Sequence, residues 1–247
     1  MRLTDRRCGS GDWLVDNPGR SSFLRRALVS VFYAVAMAYL DAVVVHLQRA
    51  LKISPLTLLT LRDPGSLGGL GTIEIGREAA TLLMLATLGW LARRSALERM
   101  AWTAFAFGIW DLGYYARLWV FIGWPTKLGT FDLLFFLPVA WVAPVWAPMV
   151  VRLALIAFGL LAARRLQRGE TLRIKPRNVV APVSGGLVVI ISSTLDAPHI
   201  LDGGTPSSFA WPVFVVGMAL AVIGVALLWW SRRNRISIMS DRPSSDR

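Results

Sequence analysis

The stretch from Ala27 to Leu47, ALVSVFYAVAMAYLDAVVVHL, decides the fold, because one carboxylate, Asp41, is the only formal charge in an otherwise apolar run. At 1.5 Å per residue such a run makes a helix about 30 Å long, the thickness of a bilayer's hydrocarbon core. It exceeds the roughly 7 to 15 apolar residues of a secretory signal, and no small-residue cleavage pattern follows, so it is expected to stay in the protein as a first span.

Apolar blocks of similar length recur at 73–92, 100–121, 145–163, 179–195 and 209–230. The whole chain is 55% hydrophobic and 17% charged, more apolar than a soluble domain with about a quarter of its residues charged. The fold class that follows is all-α, an integral membrane bundle of about six transmembrane helices. Residues 1–26 form a basic cytoplasmic tail, 27–230 the membrane domain and 231–247 a polar cytoplasmic tail expected to lack structure.

Between spans one and two, Asp63-Pro64-Gly65-Ser66 and Gly68-Gly69 read as turns in an outer linker. Span three is expected to close at Gly123-Trp124-Pro125. The block 131–163 would make a helix of about 50 Å, too long for one straight crossing. Pro138, Pro144 and Pro148 interrupt it. The reading is a proline-broken segment, 131–143, lying along or dipping into the outer face before span four; the alternative is one tilted, kinked helix. Non-helical backbone at that depth must be covered by protein or line a wet cavity. Gly185-Gly186, Gly217 and Gly224 suit close helix packing.

The net charge of +12 follows topology. Arginines and lysines crowd 2–26, 93–99, 164–177 and 232–247, whereas the opposite loops hold only Arg49, Lys52, Arg62 and Lys127. This positive-inside bias places both termini on the cytoplasmic side of the membrane. Anionic lipid accounts for the basic tails, so the bilayer is the expected partner and nucleic acid is not. Cys8 is the only cysteine, which excludes an intramolecular disulfide and a cysteine-based zinc site. His46 and His199 stand apart from one another, and the glycines of 69–76 match no nucleotide fingerprint. No metal or cofactor is expected. Trp90, Trp119, Trp124, Trp211, Trp229 and Trp230 read as interfacial anchors.

Ionisable side chains at membrane depth cost a few kcal/mol each on insertion scales and normally face the bundle interior. Asp41 lies about 9 Å inside the outer end of span one, Asp111 near the middle of span three and Arg152 about 12 Å inside span four. Glu74, Arg77 and Glu78 occupy the outer turns of span two, with Asp132 at the outer boundary. Because successive spans alternate in direction, all of these fall in the outer half of the membrane. Glu74 and Glu78 share a helix face, and Arg77 can bridge Glu74. Asp111 shares a face with Tyr114 and Tyr115, whose hydroxyls can donate to a neighbouring carboxylate. The candidate binding cluster is therefore Asp41, Glu74, Arg77, Glu78, Asp111, Tyr114, Tyr115, Asp132 and Arg152.

The runs Tyr39-Leu40-Asp41-Ala42-Val43-Val44-Val45, Glu74-Ile75-Gly76-Arg77-Glu78-Ala79-Ala80-Thr81 and Phe107-Gly108-Ile109-Trp110-Asp111-Leu112-Gly113-Tyr114-Tyr115 carry a resemblance. So does the stretch from Gly123-Trp124-Pro125 through Asp132 to Pro138, Trp141, Pro144 and Pro148. Over its first two thirds the chain resembles a set of bacterial polytopic membrane proteins with no assigned activity, so the resemblance implies topology and no chemistry. His46 falls outside that shared pattern.

Three functions fit these residues. The leading expectation is a structural or accessory subunit of a larger membrane complex, its buried charges fixing helix register. The others are a transport or permeation protein taking a cation or small polar solute, and a membrane enzyme using the carboxylates for acid/base or hard-metal chemistry.

Overall fold

The computed structural model describes residues 18–50, 70–92, 95–135, 140–170, 176–201, 204–206 and 208–240. The outer linker, Cys8 and the residues after Ser240 lie outside them. The described chain is mostly helical: α1 (Pro18–Ala50), α2 (Leu70–Ala92), α3 (Ala96–Ile122), then strands β1 (Phe131–Phe135) and β2 (Trp141–Pro144), followed by α4 (Trp146–Gln167), α5 (Pro176–Thr194), the short α6 (Ala197–Leu201) and α7 (Trp211–Ser240).

Three helical segments are long and apolar enough to cross a bilayer: Ser22–Gln48, Trp146–Gln167 and Val179–Ile200. Their outward faces carry large apolar side chains; Phe32 is 72% exposed, a cost in water and none against lipid tails. The protein is a helical membrane protein.

Local chemistry sets the helix ends. Pro18 and Pro176 each open a helix, where the missing N–H would be unpaired in any case. Ser95 caps α3 by accepting from the Glu98 N–H at 3.3 Å, and its hydroxyl reaches the Glu98 carboxylate. At the other end Gly123 adopts φ 63°, a left-handed cap whose N–H returns to the Trp119 carbonyl at 2.9 Å. The span thus closes at the glycine that the sequence marks.

Two expectations are corrected. The described residues between α3 and α4 hold no helix, which removes the kinked-helix alternative, and the fold is not strictly all-α. Strands β1 and β2 pair antiparallel, Phe131 opposite Pro144 and Leu133 opposite Val142, with a bulge before Phe135. This hairpin reaches into the bundle: Asp132 meets Tyr115 while Phe135 stacks on Phe107, two positions about 12 Å apart along α3. Its backbone is acceptable there because the strands pair with each other and β2 is covered, with Val142, Ala143 and Pro144 buried. The second correction concerns the C-terminal tail, where α7 runs on as helix to Ser240.

α3 is the central helix, packed against α1, α2 and α4, while α5 and α7 form a second hairpin beside β2. Small residues bring these helices close. Ala34, Ala38 and Ala42 repeat every fourth position along α1 and are fully buried. Gly185, Gly217 and Gly224 do the same between α5 and α7; a Cβ on Gly185 would fall 2.3 Å from the Ala221 nitrogen. Trp146 and Trp211 stack at 3.6 Å where α4 meets α7.

One close approach between α3 and α4 yields a test. A Cβ on Gly159 of α4 would lie 2.4 Å from the Ala101 carbonyl oxygen and 2.8 Å from the Phe105 nitrogen of α3. Backbone atoms cannot swing aside, so Gly159→Val is expected to cost about 1–3 kcal/mol or more in denaturant unfolding of the purified protein. Gly76→Ala is the control, since nothing lies within 4 Å of that position.

Candidate functional site

Two chains of polar contacts run through the bundle. In the first, α2 points Arg77 at α1: its Nη1 donates to Asp41 Oδ1 at 2.7 Å. The same guanidinium donates to Glu74 Oε1 one turn away, through Nε at 3.0 Å and Nη2 at 2.5 Å, as the three-residue spacing predicts. The second Asp41 oxygen accepts from Trp110 Nε1 of α3 at 2.7 Å, and Glu74 Oε2 accepts from Gln48 Nε2 of α1 at 3.2 Å. Three helices are joined by one guanidinium and two carboxylates.

In the second chain, Arg152 of α4 donates through Nε to Asp111 Oδ2 of α3. Its guanidinium lies over the Tyr115 ring, 4.4 Å from the centroid, a cation–π contact that a long apolar helix rarely offers. Tyr115 in turn donates its hydroxyl to Asp132 Oδ2 on β1. The hairpin is thereby tied to α3 and, through Asp111, to α4.

Both chains line one cavity of about 50 Å³. All nine residues expected from the sequence are on its wall, including Glu78 and Tyr114. Five carboxylates there, Asp41, Glu74, Glu78, Asp111 and Asp132, face two guanidiniums, Arg77 and Arg152. The hairpin carries Asp132 inward to the others. Burial pushes the Asp132 carboxyl up to about 6, against the lowering effect of the Tyr115 hydroxyl. One water needs about 10–15 Å³ of such space, so the cavity has room for a few waters or a small cation. Among the described residues, no group of three or more His, Cys, Asp or Glu side chains is arranged to hold a metal ion.

Sequence reasoning missed Trp110 and Gln48. The signal for Trp110 was present, since an indole N–H in the middle of a span needs an acceptor and Asp111 marks the polar side of the helix. Of the tryptophans expected at the membrane boundary, Trp90 and Trp119 are 64% and 65% exposed. Trp124 stacks on Tyr115 and Trp211 on Trp146, and both are half-buried. Trp229 and Trp230 have side chains outside the described set. His46 is exposed on α1 and His199 on α6.

No family model matches the chain, and neither a curated protein nor a solved structure matches it.

Proposed function

We propose that the chain is a six-span protein of a bacterial inner membrane, with both ends cytoplasmic, whose outer-half pocket takes up a proton or a small cation. Helices α2, α3 and α7 supply the three further crossings. The first two are about 35 and 40 Å long at helical rise, and their Glu74, Glu78 and Asp111 are buried in the bundle. The resemblance to polytopic bacterial proteins supports the same topology. The observation that carries the reading is the pocket's composition, five carboxylates against two guanidiniums around a space of about 50 Å³.

Asp132 is the group suited to exchange a proton, since burial pushes its carboxyl up to about 6 while Tyr115 holds it in place. In proteoliposomes under an imposed pH gradient, wild-type protein is expected to carry proton or alkali-cation flux. Asp132→Asn keeps the acceptor for Tyr115 and is expected to reduce that flux to the level of empty liposomes. Equal flux in wild type and variant removes the proposal.

A second reading, a structural or accessory subunit of a larger membrane complex, is favoured by the closed pairs Arg77 with Asp41 and Arg152 with Asp111. It predicts a stoichiometric partner in mild detergent and no flux from the isolated chain. The enzyme reading has no observation of its own in its favour.

A further inference from the structure

Arg117 of α3 stands outside both chains of polar contacts. It lies five residues before Ile122, about 7 Å inside the outer end of that helix. Its guanidinium sits over the Tyr39 ring of α1, 5.3 Å from the centroid, and neither residue lines the acidic pocket. Among the described residues Arg117 has neither an ion pair nor a hydrogen-bond acceptor. Its surroundings face outward. Tyr39 is 47% exposed, its hydroxyl makes no hydrogen bond among the described residues, and Leu40 beside it is exposed as well. Phe121, one turn after Arg117, meets Tyr39 edge-on at 5.8 Å and His46 at 6.1 Å. His46 follows Tyr39 by two turns on the same face of α1, and it is exposed with its neighbour Leu47.

A guanidinium at this depth is costly without a counter-charge, so Arg117 calls for an anion from outside the chain. Its position favours a lipid. The helix ends at Gly123, about one arginine side chain away, and an arginine's apolar stem lets its charge reach toward headgroup level. Phosphate oxygens suit the planar guanidinium fork, and His46 stands further toward the same boundary as a second polar contact. Exposed Leu40 and Leu47 give an acyl chain an apolar track beside them. A carboxylate on another protein's span would answer the charge and leave His46 unused. We infer that this face of α1 and α3 binds an outer-leaflet phospholipid, its phosphate on Arg117 and its acyl chains along Leu40 and Leu47. The inference rests on the reading of α3 as an outward crossing and is independent of ion uptake at the acidic pocket.

The test is native mass spectrometry of the full chain in detergent, with dioleoylphosphatidylglycerol as the probe and dioleoylglycerol and glycerol phosphate in parallel. Wild type is expected to hold one phosphatidylglycerol that Arg117→Leu binds about tenfold more weakly. Arg117→Lys keeps the charge without the fork and is expected to fall between them. Dioleoylglycerol lacks the phosphate and glycerol phosphate lacks the chains, so neither is expected to distinguish wild type from Arg117→Leu. Circular dichroism checks that both variants are folded. Direction is read separately by Gly129→Cys in a Cys8→Ser protein, since Gly129 is exposed in the loop after α3 with nothing within 4 Å of where its Cβ would be. A membrane-impermeant maleimide is expected to label it from outside intact spheroplasts. Labelling from the cytoplasmic side alone removes the outward reading of α3 and the leaflet with it. With Gly129 reached from outside, the inference is overturned by equal phosphatidylglycerol binding in folded wild type and Arg117→Leu. It is equally overturned if dioleoylglycerol is lost to the same extent in that variant, or if wild type carries a second polypeptide that Arg117→Leu releases.

Discussion

Arg152→Met is expected to destabilise the protein by about 3–5 kcal/mol, because it strips the counter-charge from a carboxylate that is already buried. Arg152 is 3% exposed and Asp111 7%, so water cannot take over from the lost guanidinium. The loss has two parts: Asp111 keeps its charge without a partner, and Tyr115 loses the cation over its ring. Unfolding of the purified protein in detergent, followed by circular dichroism against denaturant, measures the sum. Changing Asp111→Leu in the same protein is expected to recover most of the loss, since an apolar pair of similar volume costs little where a lone charge costs much. A double variant as unstable as the single one would mean that shape, and not charge, holds α3 to α4.

The second large effect is at Arg77, whose removal leaves both Asp41 and Glu74 without a cation. Its side chain is 24% exposed, so Arg77→Met is expected near the lower end of the same range, about 3 kcal/mol. Trp110 still donates to Asp41, which limits the damage to that carboxylate. Arg77→Lys should recover only part of the loss: it restores charge, but a single ammonium cannot reproduce a fork that meets Glu74 through two nitrogens and Asp41 through a third. The same denaturant titration reads all three proteins. Full recovery by lysine would show that the directional hydrogen bonds contribute nothing.

The candidate site was legible because membrane depth can be counted. Asp41, Glu78 and Asp111 come from three helices, yet rise per residue and alternating direction put them in one half of the bilayer, and the cost of burying charge then argues that they meet. The i,i+3 relation of Glu74 and Arg77 needed only helix geometry. The hairpin was hidden for a different reason. Phe131-Asp132-Leu133-Leu134-Phe135 and Trp141-Val142-Ala143-Pro144 are buried or half-buried on both faces, so neither shows the alternation by which a strand is recognised. The prolines do break the helix there, but what replaces it depends on pairing with a second short segment, which spacing along one strand cannot reveal. Trp110 donates to Asp41 on another helix, a pairing that spacing along α3 does not reveal. Helix lengths were also underread: α1 begins at Pro18 and α7 ends at Ser240, because charged residues end the apolar stretch without ending the helix.

Guanidiniums and carboxylates from different helices touch within the bundle. Solid-state NMR of the protein in lipid bilayers, with nitrogen-labelled arginine and carbon-labelled aspartate, measures this by dipolar coupling between guanidinium and carboxylate. Two arginine–aspartate contacts are expected, one lost in Asp41→Asn and the other in Asp111→Asn. A folded sample with no such coupling, or with couplings that neither substitution removes, would contradict the account.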